Sequence, residues 1–167
     1  MKTLYIVRHA KSSWDFPEVS DHDRPLLEKG KKRTRKIIDF LQKKKVKPDL
    51  IISSSALRAR ETAGYLAVGL GLEKEAILIE PSLYSADGEH IFDQFIDISD
   101  KNNEVIIVGH NPALTNFVNL FLVPSIDWLP TSGVVGLDFK TDRWDMIKNA
   151  DFEVKFVIFP KLLDGLE

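Results

Sequence analysis

The sequence predicts an α/β protein in which a mainly parallel β-sheet lies between two layers of helices. Three short apolar runs carry this prediction, because each passes directly into polar or charged residues. They are 4–7 before Arg8-His9, 50–52 before Ser53-Ser54-Ser55, and 105–108 before Gly109-His110-Asn111. Buried strands of a parallel sheet have this form, and such sheets bind ligands just beyond the carboxyl ends of their strands. We therefore expect the residues after the three runs to meet at one edge of the sheet.

Composition favours one domain with no general affinity for polyanions. Of the 167 residues 44% are hydrophobic, so residues 1–167 are expected to form a single domain with its own core. With 23 Lys and Arg against 25 Asp and Glu the net charge is −2, which provides no overall positive field for nucleic acid or an anionic membrane. The chain has no cysteine, which excludes disulfides, thiolate catalysis and cysteine metal clusters.

The lengths of the apolar runs bear on localisation. The first run reaches Arg8 after four residues, too few for a signal peptide, and no run approaches the roughly 20 residues of a membrane span. The expectation is a cytoplasmic protein.

Each of the first two strands is followed by a predicted helix. One is predicted over about 29–44, with Ile37 and Leu41 facing inward. The other is predicted over about 56–68, and Gly71 follows where a glycine commonly ends a helix. Alternation of strand and helix is typical of a parallel sheet that is covered on both faces.

The middle of the chain continues this alternation. A short strand is predicted at 76–79, and a helix at 89–98 because four apolar residues there would share one side. These are Ile91, Phe92, Phe95 and Ile96. After the strand at 105–108, Asn111 can cap a helix that has Pro112 in its first turn and runs to about Leu122.

The last part of the chain changes character. Residues 134–139 and 152–159 are strand-like, and in the second segment apolar residues alternate with Glu153 and Lys155. Such alternation is typical of a strand with one solvated face, so an antiparallel pair is expected at one sheet edge. The predicted architecture is a three-layer α/β/α sandwich, mostly parallel with an antiparallel edge.

Two histidines and two arginines are the candidate catalytic residues. Arg8, His9, Arg58 and His110 all follow predicted strands and would meet at one rim. Guanidinium groups match phosphate oxygens bidentately, and an imidazole can act as a nucleophile. The pattern therefore indicates chemistry on a dianionic phosphoryl group.

The motifs around these residues resemble a known family. They are Arg8-His9-Ala10-Lys11-Ser12-Ser13-Trp14, Asp23-Arg24-Pro25-Leu26 followed by Gly30, the segment 55–63, Leu83-Tyr84-Ser85-Ala86, and Gly109-His110-Asn111. In this order they resemble the histidine phosphatase superfamily, which includes the cofactor-dependent phosphoglycerate mutases, and within it the small SixA-type phosphohistidine phosphatases. The likeness runs from Met1 to about Pro160 and implies a phosphoglycerate mutase-like fold.

The resemblance also implies roles for residues. His9 would accept the phosphoryl group as a phosphohistidine, which water then hydrolyses, while His110 would hydrogen-bond the group from the opposite side. Repulsion from Arg8 and Arg58 is expected to keep His9 neutral, and both guanidiniums would neutralise phosphoryl oxygens. Further phosphate or substrate contacts are expected from Arg24 and from the loop residues Ser132 and Gly133. The resemblance implies neither a metal ion nor another cofactor.

The implied site has no carboxylate that clearly matches a general acid of the family. Many relatives carry a glutamate after the third strand, and here Glu80, Asp87 and Glu89 are the candidates. An imidazole leaving group has a conjugate-acid pKa near 6.5, far below that of an alcohol, so it needs less help from an acid. The absence of a secure acid favours phosphoramidate over phosphoester substrates.

Three functions remain open. The leading hypothesis is a phosphatase for phosphohistidine on a protein, for example a His-containing phosphotransfer protein. The alternatives are a small-molecule phosphomonoesterase and a phosphate-recognising module without turnover, although a binder has no need of two histidines. Simpler interpretations apply to other residues: Arg60 as a solvated neighbour, and His22 as a loop residue rather than a metal ligand. Trp14 and Trp128 are loop residues that either border the pocket or pack half-buried.

Overall fold

The centre of the molecule is one six-stranded sheet, as described over residues 1–164 by a computed structural model. The strands are β1 (Lys2–Arg8), β2 (Leu50–Ser53), β3 (Ile77–Ile79), β4 (Glu104–Gly109), β5 (Val134–Phe139) and β6 (Phe152–Ile158), in the spatial order β3-β2-β4-β1-β5-β6. β3, β2, β4 and β1 are parallel neighbours, whereas β5 runs antiparallel to both β1 and β6. The predicted parallel sheet with an antiparallel edge is confirmed.

Helices cover both faces of the sheet. They are α1 (Glu28–Lys43), α2 (Leu57–Leu70), α3 (Ala113–Val118) and α4 (Pro160–Leu163). Successive residues of β4 alternate between the two cores: Ile106 and Val108 pack with α1 and α2, and Val105 and Ile107 pack with α3. The three-layer sandwich, a phosphoglycerate mutase-like architecture, is thus confirmed. No helix within residues 1–164 has the length and apolar character needed to cross a membrane.

Two predicted helices differ from those observed. The segment 89–98 forms a 3-10 helix at Glu89–Phe95, because Phe95 stacks against Trp144 with ring centroids 5.4 Å apart while Ile96 stays 62% exposed. The helix after Pro112 ends at Val118, short of Leu122. The prediction of one continuous apolar side was therefore wrong for Ile96. The predictions for α1 and α2 are confirmed within one or two residues, and Gly71 adopts the left-handed conformation that ends α2.

Strand register brings the predicted site residues together. Arg8 is opposite Gly109 in the β1–β4 pair, and Ser53 is opposite Val108 in the β2–β4 pair. The residues that follow these three strands therefore share one edge, as predicted. Gly30 allows α1 to approach this edge, since a Cβ there would collide with the carbonyl oxygen of Lys11, just after β1.

Candidate active site

His9 lies just beyond β1 and is oriented by its own backbone neighbour. Its Nδ1 is 2.8 Å from the carbonyl oxygen of Ala10, and the side chain is buried. A carbonyl oxygen only accepts hydrogen bonds, so Nδ1 carries the proton and Nε2 of the neutral ring keeps its lone pair. The orientation therefore presents Nε2 as a nucleophile.

Burial is the main reason that His9 is neutral. It lowers the pKa of His9 to about 3, and the nearby His110, Arg58 and Arg8 act in the same direction, while the Ala10 carbonyl opposes them. The expected repulsion from the two arginines is present, but removal of the ring from water contributes more. At neutral pH the imidazole is uncharged, with its proton on Nδ1, and Nε2 is able to attack phosphorus.

His110 faces His9 from the end of β4. The two ring centroids are 5.0 Å apart, and Nε2 of His110 is 2.7 Å from the hydroxyl oxygen of Ser54. Burial, followed by the charge of Arg58, lowers the pKa of His110 to about 4. Its buried Nδ1 has no hydrogen-bond partner within residues 1–164. That nitrogen therefore keeps an unused hydrogen-bonding capacity in a side chain that lines the cavity.

Arg8 and Arg58 are held by protein oxygens on one side only. Nη1 of Arg8 donates to the carbonyl oxygen of Leu129 at 3.1 Å, and Nη1 of Arg58 donates to the carbonyl oxygen of Asp21 at 2.7 Å. The Nε atoms of both arginines are buried and lack partners among the described residues. Burial and the charge of Arg58 lower the pKa of Arg8. Two nearby cations, the buried Arg58 and the half-buried Arg8, each with an unpaired Nε donor, favour a bound anion.

Asp21 is a site residue that the sequence analysis missed. Its Oδ2 accepts hydrogen bonds from Nη2 of Arg58 at 3.1 Å and from the Tyr84 hydroxyl at 2.6 Å, and its Oδ1 accepts from Nε of Arg24 at 3.0 Å. The Tyr84 hydrogen bond, supported by Arg58 and Arg24, lowers the pKa of Asp21 to about 2. The carboxylate therefore fixes two arginines at once. Its spacing of three residues from Arg24 was a visible signal, but its pairing with Arg58 was not.

Arg24 forms part of the cavity wall. Its Nη1 donates to the Ser12 hydroxyl at 2.7 Å and to the Ser13 carbonyl at 3.2 Å, and the Trp14 ring stacks 3.5 Å from the guanidinium carbon. These contacts leave the guanidinium well ordered beside the site. A direct contact between Arg24 and phosphate stays a prediction.

Ser132 and Gly133 support the end of β1. The Ser132 amide donates to the carbonyl oxygens of Arg8 at 3.0 Å and His9 at 3.2 Å, and the Gly133 amide donates to Pro130 at 2.9 Å. Ser132 adopts a left-handed backbone with φ of 60°. Because both amides already have acceptors, their contact with phosphate stays a prediction, and Thr131 is the loop residue that lines the cavity.

The three candidate acids are engaged outside the cavity that contains His9 and His110. The Glu80 carboxylate accepts from the Ser82 amide and hydroxyl, Asp87 pairs with His90 at 2.8 Å, and Glu89 pairs with Lys148 at 3.6 Å. None of the three lines the cavity around His9.

Arg60 and His22 form hydrogen bonds with Ser55 and do not line the cavity. Arg60 donates to the Ser55 carbonyl at 2.9 Å, and His22 contacts the Ser55 hydroxyl at 2.9 Å.

The side chains surround an open cavity of about 580 Å³. Its lining includes five basic side chains and one carboxylate, together with His9, His110 and two tryptophans. The charged residues are Arg8, Lys11, Arg24, Arg33, Arg58 and Asp15, and the tryptophans are Trp14 and Trp128. A cavity with this charge balance and a neutral imidazole can bind a phosphoryl dianion and supply a nucleophile for it.

Fold and site together define a phosphatase. The chain matches the family model of the histidine phosphatase superfamily, branch 1, over residues 4–92. An uncharacterized chloroplastic protein of Arabidopsis thaliana is 34% identical over 86% of this chain and 69% of its own length. An uncharacterized protein of Mycobacterium leprae is 32% identical over 89% of this chain and 96% of its own length. The protein belongs to the histidine phosphatase superfamily, branch 1.

Comparison with solved structures indicates the SixA type within this superfamily. A protein described as the phosphohistidine phosphatase SixA of Agrobacterium tumefaciens has a TM-score of 0.77 at 27% identity, with 95% of this chain and 99% of that chain covered. The histidine phosphatase SixA in complex with tungstate has a TM-score of 0.80 at 19% identity, covering 97% and 99% of the two chains. A mycobacterial glucosyl-3-phosphoglycerate phosphatase has a TM-score of 0.66 at 14% identity, covering 93% and 97%. The last two likenesses concern the fold alone.

Proposed function

We propose that the protein hydrolyses phosphohistidine on another protein through a phosphohistidine intermediate on its own His9. One observation carries the proposal. Three buried nitrogen atoms without partners within residues 1–164, Nε of Arg8, Nε of Arg58 and Nδ1 of His110, belong to side chains that line the cavity of His9. Buried polar groups are normally paired, and a phosphoryl group supplies the oxygens that these three lack.

In the first step Nε2 of His9 attacks phosphorus and the P–N bond to the substrate imidazole breaks. Arg8 and Arg58 bind the phosphoryl oxygens and stabilise their negative charge during the transfer. The leaving imidazole takes a proton from solvent. As His9 becomes phosphorylated its ring gains positive charge. The hydrogen bond from Nδ1 to the Ala10 carbonyl, 2.8 Å long, then strengthens and stabilises that charge.

In the second step water attacks phosphorus and the bond to Nε2 of His9 breaks. Inorganic phosphate leaves, the proton lost by the water passes to solvent, and His9 returns to its neutral form. The low pKa of His9, about 3, favours this return because the ring holds no proton on Nε2 at neutral pH.

The choice of phosphohistidine follows from the leaving group and from the cavity. None of Glu80, Asp87 and Glu89 lines the cavity, so an alkoxide would lack a donor from these carboxylates. An imidazole leaves without such help. The cavity is also open at its mouth, where the exposed Trp14 and Trp128 stand, and this supports a protein-borne substrate.

A small phosphate ester is the second candidate. The observation in its favour is Asp15 in the cavity lining, whose carboxyl group could, in its protonated form, donate a proton to an alkoxide. A binding module without turnover is a poorer explanation, because binding requires the arginines but has no use for a buried neutral imidazole with a free lone pair.

The test compares initial rates on a phosphohistidine peptide, a phosphoserine peptide of the same sequence and a panel of small phosphate esters. His9→Ala is the control for contaminating phosphatases, and each assay is repeated with a chelator. We expect phosphohistidine to be hydrolysed at least about tenfold faster than phosphoserine, with no effect of the chelator. Faster turnover of a small ester would support the second candidate, and no turnover of any substrate would support the binding module.

A further inference from the structure

A second cavity adjoins the active-site cavity. It has a volume of about 370 Å³, and three residues line both cavities: Arg33, Trp128 and Thr131. The rest of its lining comes from Pro130 and from the segment after β6, namely Phe159, Pro160, Lys161 and Asp164. The two cavities are therefore neighbours that share part of their walls.

The lining of the second cavity is apolar with a positive edge. Pro130, Phe159 and Pro160 provide the apolar surface, whereas Arg33 and Lys161 provide positive charge. The carboxylate of Asp164 is paired with Nζ of Lys36 at 3.1 Å, which offsets its negative charge. A complementary ligand would combine an apolar side chain with a nearby carboxylate.

The second cavity lies beside the site where a phosphorylated substrate would bind. A phosphoryl group at Arg8 and Arg58 places the substrate histidine at the mouth of the first cavity, where the Trp128 ring lies 5.8 Å from the Arg8 guanidinium carbon and is 51% exposed. The polypeptide that carries the histidine must leave through this mouth. Because the same tryptophan lines the second cavity, residues close to the histidine in sequence can enter it.

We propose that the second cavity binds the segment flanking the phosphohistidine in the substrate protein, and that it selects a segment with an apolar residue next to an acidic one. The inference rests on the proposed function and adds a determinant of specificity to it. The apolar residue packs on Phe159 and Pro160, and the acidic residue pairs with Lys161 and Arg33.

The test uses two phosphohistidine peptides and one small substrate. One peptide carries Leu-Glu pairs on both sides of the phosphohistidine, the other carries Ser-Gln pairs at the same positions, and the small substrate is phosphoramidate. Lys161→Glu is the test variant, since Lys161 is exposed and lines the second cavity but not the active-site cavity. Lys101→Glu is the matched control, an exposed lysine before β4 at the opposite end of the sheet.

We expect wild type to have a kcat/KM at least about fivefold higher for the Leu-Glu peptide, a preference that high salt reduces. Lys161→Glu should lose this preference and keep wild-type turnover of phosphoramidate, and Lys101→Glu should behave as wild type. Equal kcat/KM values for the two peptides in wild type would overturn the inference. So would a preference that Lys161→Glu leaves unchanged, or an equal loss on phosphoramidate.

Failure of the proposed function would be recognised separately. If wild type hydrolyses neither phosphohistidine peptide, the proposed function is wrong, and binding of the same two sequences with a stable phosphohistidine analogue tests the cavity directly. Tighter binding of the Leu-Glu analogue that depends on Lys161 would support the cavity without that function. Equal binding of the two analogues would overturn it.

Discussion

The two ends of β1 differ in how fully their charged side chains are hydrogen-bonded. At the amino end Lys2 is 2% exposed, and its ammonium group donates to the carbonyl oxygens of Asp100 and Asn102 beside the Trp144 ring. At the carboxyl end Arg8 and His9 line the active-site cavity, and Nε of Arg8 has no hydrogen-bond partner within the described residues. One strand thus joins a buried cation that is hydrogen-bonded within the fold to a cation that keeps one unpaired donor.

The difference distinguishes groups that stabilise the fold from groups that bind a ligand. Pairing at Lys2 satisfies a buried cation, so that end contributes to folding. Leaving donors of Arg8 and Arg58 unpaired costs stability, and an arriving phosphoryl group offsets that cost when it binds. Changes at the carboxyl end should therefore affect catalysis, and changes at the amino end should affect the free energy of unfolding.

Arg58→Lys should have the largest effect on activity. A lysine cannot supply both the unpaired Nε and the two Nη hydrogen bonds to Asp21. We expect kcat/KM to fall by roughly 100-fold or more, as measured by initial rates on a phosphohistidine peptide. The control Arg60→Lys should stay near wild type, and the reverse order of the two variants would show that the wrong arginine was chosen.

Lys2→Met should separate stability from activity. The carbonyl oxygens of Asp100 and Asn102 would lose their shared donor, so we expect the free energy of unfolding to fall by about 2 kcal/mol. Urea denaturation measures this, and kcat of the folded variant should equal that of wild type. A loss of kcat with unchanged stability would contradict the assignment of the amino end to folding.

The sequence predicts that the candidate site residues lie at one edge of the sheet because the signals for this are local. An apolar strand followed directly by His9 or His110 specifies both the strand and the position of the side chain at its end. The start and end of a helix are also specified by nearby residues, and the ends of α1 and α2 were predicted within two residues.

The remaining features depend on packing between distant segments. Asp21 is 37 residues from Arg58, and nothing in the loop sequence indicates that the two side chains meet. The depth at which His9 is buried, which lowers its pKa to about 3, depends equally on the whole fold. The segment 89–98 was mistaken for an α-helix because its apolar spacing fits one, although stacking of Phe95 on Trp144 favours a tighter 3-10 turn.

Asp21→Asn should weaken phosphate binding without unfolding the protein. The amide keeps one oxygen acceptor but removes the charge that orients Arg58 and Arg24. We expect KM to rise and kcat/KM to fall about tenfold, with the thermal midpoint of unfolding near that of wild type. Asp23→Asn is the matched control in the same loop. A drop in the thermal midpoint with unchanged KM would show that Asp21 supports the fold rather than the arginines.

Glu80→Gln should have the smallest effect. The carboxylate is engaged with Ser82 and does not line the cavity. Turnover of phosphohistidine should change less than about threefold in steady-state assays. A collapse of activity would identify Glu80 as a general acid and would favour the phosphomonoesterase.

The most direct measurement is the position of the phosphoryl group in the trapped intermediate. Wild type is mixed with a labelled phosphohistidine peptide, quenched in base within milliseconds and digested for peptide mapping. We predict label on Nε2 of His9, because Nδ1 of that ring is engaged with the Ala10 carbonyl, and no label in His9→Ala. Label on another residue or on Nδ1, or wild-type turnover by His9→Ala, would contradict the assignment of His9 as the nucleophile.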